Sequence, residues 1–166
     1  MNENNLKYEE VLKKIDNLKK DRKFDLSVEE DLAVAIMNLI SLEEHFFFTG
    51  AKTDKTEYFD LLIEVRSIRT KLLAKMIDKT EGETWCISKH LLATSMRLFE
   101  VGTKFQADGK KEEAQETFEQ AYKMFTMFFA LRLKIIKVCQ INEMAEEEKP
   151  WTLKDIVGKM VDCCKE

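Results

Sequence analysis

Three charged side chains lie at positions where the helical pattern of the sequence otherwise places apolar residues. They are Glu43, Arg69 and Arg132, and each has apolar residues three or four positions away on both sides. An unpaired buried charge costs several kcal/mol, so each needs a partner, a path to water or a place at a helix boundary. Carboxylate and guanidinium groups held in a protein interior can also bind a polar ligand or handle a proton.

The expected packing of neighbouring helices indicates which of these charges can meet. At about 1.5 Å of rise per residue, Glu43 lies level with about residue 60, some 13 Å along the axis from Arg69. We therefore expect no direct contact between Glu43 and Arg69. Arg66 is closer, within about 9 Å by the same rise, and two long side chains can span that distance. Arg66 is thus a candidate structural partner of Glu43.

The other end of the helices carries Arg132, which the same reasoning places level with Trp85 and near Glu29. An arginine can stack on a tryptophan ring or pair with a carboxylate, so we expect one of these two contacts. If the inward polar residues instead line a cavity, the candidate ligand-binding residues are Glu43, Arg69, Trp85 and Arg132.

Metal binding has weak support in the sequence. The two histidines, His45 and His90, are expected to lie roughly 15 Å apart along the helix axes, too far for one ion. Cys86 and His90 are spaced i, i+4 and are weak candidates for half of a zinc or copper site. The four cysteines match neither paired zinc spacing nor a disulfide framework, so we predict thiols, no metal site and no cofactor.

Catalytic and nucleic-acid-binding motifs are not evident. The sequence contains no Gly-x-Ser-x-Gly and no glycine-rich phosphate loop, so an enzyme is disfavoured. The 27 basic and 31 acidic residues are interspersed and give a net charge of −4, which does not favour a nucleic-acid surface. The most basic stretch, residues 66–75, is spread around its helix.

Compartment is predicted from the apolar segments. The longest mainly apolar, uncharged segment in the second half, Met124 to Leu131, is far shorter than the roughly 20 residues that span a bilayer. We therefore expect no membrane span. The first five residues lack the basic flank and apolar run of a secretory signal, and we expect a cytoplasmic protein.

The elements that must position these side chains are predicted to be helices. Five glycines and one proline among 166 residues are too few for the turns of sheet-rich folds. Apolar periodicity predicts an all-α single domain, residues 1–166, with a bundle core at 27–142. Its four helices are expected at about 28–48, 54–79, 83–107 and 110–142. Short connections predict up-down-up-down topology, with flanking helices at 1–24 and 151–164.

One segment resembles a tetratricopeptide repeat. The residues that carry the likeness alternate small and large packing positions over 98–121: Leu98, Val101, Gly102, Phe105, Gly109, Ala114, Phe118 and Ala121. The resemblance implies a tight helical hairpin in which the small residues let two helices approach closely. It covers about 25 residues, and we do not extend it to peptide binding.

The function that the sequence favours is protein association. Phe46, Phe47 and Phe48 are consecutive, and one helix cannot turn three neighbours towards the same core, so at least one should face a second surface. This predicts a homodimer or an adaptor for another helix. The alternative is a small-molecule or metal-binding bundle with an interior polar site around Glu43 and Arg69.

Overall fold

The protein is all-α in the part of the chain that the computed structural model describes, residues 25–135 together with Lys13, Asn17 and Lys20. Of these residues 88% are helical and none lies in a strand. The helices are α1 (Leu26–Thr53), α2 (Glu57–Met76), α3 (Glu83–Ala107) and α4 (Lys111–Arg132), with a short 3-10 turn at Lys79–Glu81. The predicted flanking helices lie outside these residues, apart from Lys13, Asn17 and Lys20, which are helical and exposed.

Helix α1 extends beyond both of its predicted ends. Its N-cap is Asp25, before the predicted start at about residue 28, and the Asp25 carboxylate accepts hydrogen bonds from the amides of Ser27 and Val28. Gly50 lies within the helix, past the predicted end at about residue 48. A Cβ at Gly50 would lie 2.8 Å from Cε1 of Phe59, so glycine serves a close approach of α2 there. The helix ends at Asp54, in the left-handed region at φ 55°.

The connection between α2 and α3 differs from the prediction. The expected helix at 54–79 is three residues shorter at each end, beginning at Glu57 and ending at Met76, where Ile77 adopts an extended conformation. Asp78 then caps the 3-10 turn through the amide of Thr80. Helix α3 has the predicted bounds, but Gly82 precedes it and provides no side-chain cap.

Helix α4 ends at Arg132, about ten residues before its predicted end. Lys134 adopts the left-handed conformation at φ 55°. The amide of Lys134 donates to the carbonyl of Leu131 and that of Ile135 to the carbonyl of Ala130, the pattern of a Schellman motif. Ile135 packs on the core, and this apolar contact continues the hydrophobic spacing past the helix end. The rest of the predicted extension, 136–142, lies outside the described residues.

The helices pack as two antiparallel pairs, α1 with α2 and α3 with α4, and α1 also contacts α3. One buried apolar cluster joins all four. It includes Ile36 of α1, Leu73 of α2, Leu92 of α3 and Phe129 of α4, and each of these side chains has almost no exposed surface. Burial of such side chains contributes about 1.5 to 3 kcal/mol each. The cluster lies at the end of the molecule where α1 begins and α4 ends.

Helix α1 also satisfies a test for membrane spans. By length and composition alone, Ser27–Thr53 is apolar enough to cross a bilayer. One such helix is weak evidence, because core helices of soluble proteins pass the same test. The absence of a membrane span stays a prediction.

Helices α3 and α4 approach each other closely at Gly102. A Cβ at this buried position would lie 2.7 Å from Cδ1 and Cε1 of Phe118, and Ala114 of α4 is fully buried. The predicted close packing of Gly102 against the helix that contains Ala114 is therefore present.

The change Gly102→Leu is expected to lower the free energy of unfolding by roughly 1 to 3 kcal/mol. Leucine has the better helix propensity, but its side chain overlaps the Phe118 ring and forces the two helices apart. Chemical denaturation compares this variant with Thr103→Leu, an exposed neighbour on the same helix that should change little. A Gly102→Leu protein as stable as that control contradicts the prediction.

Candidate functional site

The inward charges of the first helix pair form a cluster of one carboxylate and two guanidinium groups. Glu43 of α1 accepts hydrogen bonds from Nε of Arg69 at 2.8 Å and from Nε of Arg66 at 2.9 Å. Nη2 of Arg69 adds a contact of 3.3 Å. Glu43 and Arg69 are each only 7% exposed, whereas the Arg66 side chain is 53% exposed. Arg66 is the expected partner, and Arg69 is an additional one.

The expectation that Glu43 and Arg69 do not touch is wrong because the hairpin turns later than predicted. Helix α1 continues to Thr53 and the link to α2 is only three residues, so Gly50 packs beside Phe59. This register places Glu43 level with Arg66. Arg69 is then less than one helical turn further on, about 4.5 Å along the axis.

The two arginines stabilise the ionised form of Glu43. Burial raises the pKa of this carboxyl, but hydrogen bonds and charge from Arg69 and Arg66 lower it by more. The resulting pKa lies below the ordinary value of 4.5. Glu43 is therefore an ion-pair partner at neutral pH, and not a group poised to exchange a proton.

A cavity of about 540 Å³ lies beside this cluster, between α1, α2 and α3. Its charged lining consists of Glu43 and Glu44 from α1, Arg66 and Arg69 from α2, and Lys89 from α3, with His90 next to it. Glu44 pairs with Arg97, which does not line the cavity. The sequence predicts either that the inward charges pair or that they line a cavity. Glu43 and Arg69 do both: they pair with each other and they line the cavity.

Trp85 and Arg132, the other two candidate ligand-binding residues, do not line this cavity. Arg132 donates from Nε and Nη2 to the carboxylate of Glu29 at 2.8 and 2.9 Å, which is the predicted Arg–Glu pair. Trp85 packs against the apolar cluster, and Nζ of Lys79 lies 5.7 Å from its ring centroid. The four candidates therefore divide into two groups: Glu43 and Arg69 line the cavity, and Trp85 and Arg132 lie outside it.

The weak metal candidates belong to the surface of α3. Cys86 is an exposed free thiol, and His90 is exposed at the cavity. Within residues 25–135, no group of three or more His, Cys, Asp or Glu side chains is arranged to hold a metal ion.

Sequence reasoning missed Lys89. This lysine does not interrupt an apolar stripe of its helix, and it forms no ion pair with a carboxylate among the described residues. Only the packing of α3 against α1 brings it beside the arginines of α2. Its adjacency to His90, already singled out, was the one signal available.

A second candidate site is the outer face of the first helix pair. Helix α2 carries a stripe at spacings of four, three and four residues, formed by Leu61, Val65, Ile68 and Leu72. Leu61 and Ile68 are 41% and 46% exposed, and the other two are half-buried. At about 100° per residue, the stripe points away from Arg66 and the cavity.

Helix α1 continues this surface. Val28, Leu42 and Phe46 lie on the side of α1 roughly opposite Glu44, which pairs with α3. The rings of Phe46 and Tyr58 are 6.3 Å apart, so the two stripes meet on the same side of the hairpin. We call this surface the apolar face. It consists of Val28, Leu42 and Phe46 of α1 and Leu61, Val65, Ile68 and Leu72 of α2.

Comparison of the chain with protein-family models, curated proteins and solved structures finds no match. Function is therefore inferred from the geometry of these two sites.

Proposed function

We propose that the protein acts through protein association and that the apolar face binds a second copy of the same chain. The observation that carries this proposal is the stripe of Leu61, Val65, Ile68 and Leu72 on α2, in which Leu61 and Ile68 are exposed, while Val65 is partly buried and Leu72 packs partly against the core cluster. Contiguous exposed apolar surface on a soluble domain marks an interaction site. We also propose that the four helices form an up-down-up-down bundle, in which α3 and α4 are the tetratricopeptide-like hairpin.

A second copy fits this stripe because its spacing is symmetric about the middle of α2. When two α2 helices pair antiparallel around the midpoint between Arg66 and Ser67, Leu61 lies opposite Leu72 of the second copy. Val65 then lies opposite Ile68 of the second copy. Alternating spacings of three and four residues are those of the a and d positions of a coiled coil. A two-fold interface requires this self-complementarity.

The charges beside the stripe favour the same pairing. Acidic Glu57, Asp60 and Glu64 lie in the first half of α2, and basic Lys71 and Lys75 lie in the second half. Antiparallel pairing brings Glu64 beside Lys71 of the second copy, and two-fold symmetry repeats this contact. Parallel pairing would place like charges together, which is unfavourable.

The exposed Phe47 and Phe48 agree with the expectation that consecutive phenylalanines face more than one surface. Each is about half exposed, while Phe46 packs against Tyr58.

The adaptor alternative, in which an amphipathic helix of another protein occupies the apolar face, predicts a monomer when the protein is alone.

Equilibrium sedimentation of the full chain tests self-association. We expect a species of twice the 19.5 kDa of one chain, and Ile68→Lys should convert it to a monomer because a charge would be buried in the interface. The matched control is Ile63→Lys, since Ile63 is 60% exposed on α2 but lies off the stripe.

Charge reversal tests the antiparallel register. Glu64→Lys should weaken the dimer, and the double variant Glu64→Lys with Lys71→Glu should restore it. A wild-type monomer at all concentrations contradicts self-association, as does an Ile68→Lys protein that is as dimeric as Ile63→Lys. Loss of the dimer in the double variant contradicts the register.

A further inference from the structure

We infer that the cavity between α1, α2 and α3 binds an organic anion, a molecule with one oxyanion group on an apolar body. This inference does not depend on self-association, because the cavity lies on the α3 side of the hairpin, away from the apolar face.

The charge balance of the cavity favours an anion. Its lining contains three cations, Arg66, Arg69 and Lys89, against the carboxylates of Glu43 and Glu44. Glu44 shares Arg97, outside the lining, with Glu100, so these two outer residues leave the balance at one net positive charge. A concave site with an excess positive charge attracts an oxyanion.

Hydrogen-bond donors remain for such a group. Arg66 contacts Glu43 through Nε alone, and Arg69 uses Nε and Nη2. Both Nη atoms of Arg66 and Nη1 of Arg69 make no hydrogen bond within residues 25–135. Guanidinium groups bind oxyanions in bidentate geometry, and Lys89 adds a mobile ammonium donor.

Glu43 has a positioning role in this site. Its carboxylate anchors both guanidinium groups on one side, so their remaining nitrogens are held without a ligand present. Donors that are already ordered lose less entropy when a ligand binds. Arg69 is itself 7% exposed, so its contribution is desolvated and stronger than that of a surface arginine.

The rest of the lining suits an apolar body. Ile40 and Phe47 of α1, Leu62 of α2 and Ala93 of α3 contribute apolar side chains to the wall. A volume of about 540 Å³ is within the range of roughly 300 to 1,000 Å³ that small-molecule sites occupy.

Isothermal titration of the full chain with octanoate, octylamine and inorganic phosphate tests this inference. Octanoate should bind, phosphate should bind more weakly because it lacks an apolar body, and octylamine should not bind. Lys89→Met should weaken octanoate binding by about tenfold, the effect of losing one charge-assisted hydrogen bond. Lys89 has no ion pair in the described part of the chain, so this variant should remain folded.

The matched control is Lys104→Met, an exposed lysine of α3 that does not line the cavity and should leave octanoate affinity unchanged. Arg66→Met should also weaken binding by about tenfold, because Arg69 still holds Glu43. Equal affinity for octylamine and octanoate overturns the anion assignment, and an unchanged Kd in Lys89→Met overturns the site. If phosphate binds as tightly as octanoate, the inference that the ligand has an apolar body is overturned.

Discussion

Replacing Glu43 with leucine is expected to lower the free energy of unfolding by about 3 to 5 kcal/mol, the range seen when one partner of a buried ion pair is removed. The reason is Arg69, which donates two hydrogen bonds to Glu43 and has almost no access to solvent. Leucine has a similar size but accepts no hydrogen bond, so the guanidinium charge would be stranded.

Glu44→Leu is the matched control in urea denaturation at pH 7. Glu44 pairs with Arg97, which is about half exposed. Surface ion pairs contribute about 0 to 1 kcal/mol, so this variant should change stability little. A Glu43→Leu protein as stable as wild type, or more stable, contradicts the structural role of Glu43. It would show that a charge costly to the fold is kept for another purpose.

Acid sensitivity gives the same prediction a second measurement. Because the folded-state pKa of Glu43 is lowered from 4.5, the ion pair contributes its full stability above the unfolded pKa. That contribution is lost as the pH falls through the folded pKa, since the unfolded state then binds the proton more readily. The stability difference between wild type and Glu43→Leu should therefore shrink as the pH falls below 4.5 and through the lowered folded-state pKa.

The Glu43 cluster illustrates what sequence reasoning can and cannot provide. The pattern identified Glu43 and Arg69 as charges within apolar stripes, and chemistry required each to have a partner. The wrong conclusion that they do not touch came from the end of α1. The predicted helix ends at about residue 48 whereas α1 continues to Thr53, and this shift of a few residues changes the register across the hairpin by almost two turns.

Long-range pairing was predictable where the helix ends were nearly right. Arg132 and Glu29 are 103 positions apart in sequence, yet counting from the hairpins placed them together, and they form a two-point ion pair. Helix termini were less predictable. The apolar residues after Arg132 continue the helical spacing, but Ile135 reaches the core through a left-handed turn at Lys134.

The two candidate sites depend on tertiary packing. Lys89 lies beside the arginines of α2 only because α3 packs against α1. No local sequence pattern indicates that this lysine has no ion pair among the described residues. The apolar face shows as helical periodicity, but periodicity alone does not distinguish a core stripe from an exposed one. Leu73 and Ile68 are both apolar residues of α2, yet Leu73 is buried in the core cluster and Ile68 is 46% exposed.

Phe129→Ala is expected to destabilise the fold by about 3 to 5 kcal/mol, the usual effect of removing a buried phenylalanine ring. Phe129 is 1% exposed, and its ring centroid lies 5.1 Å from that of Phe125 and 5.2 Å from that of Phe128. Phe129 belongs to the buried cluster that includes residues of all four helices, so loss of its ring weakens the core shared by both helix pairs.

The control for Phe129→Ala is Phe99→Ala, since Phe99 is 52% exposed on α3 and should change stability by less than about 1 kcal/mol. Circular dichroism and aromatic fluorescence during denaturation should report one shared transition in wild type, because the cluster joins both helix pairs. In Phe129→Ala that transition should move to lower denaturant and stay single. Two separate wild-type transitions would show that the pairs unfold independently, and the cavity between them would then not be held rigidly enough to keep its arginines in place.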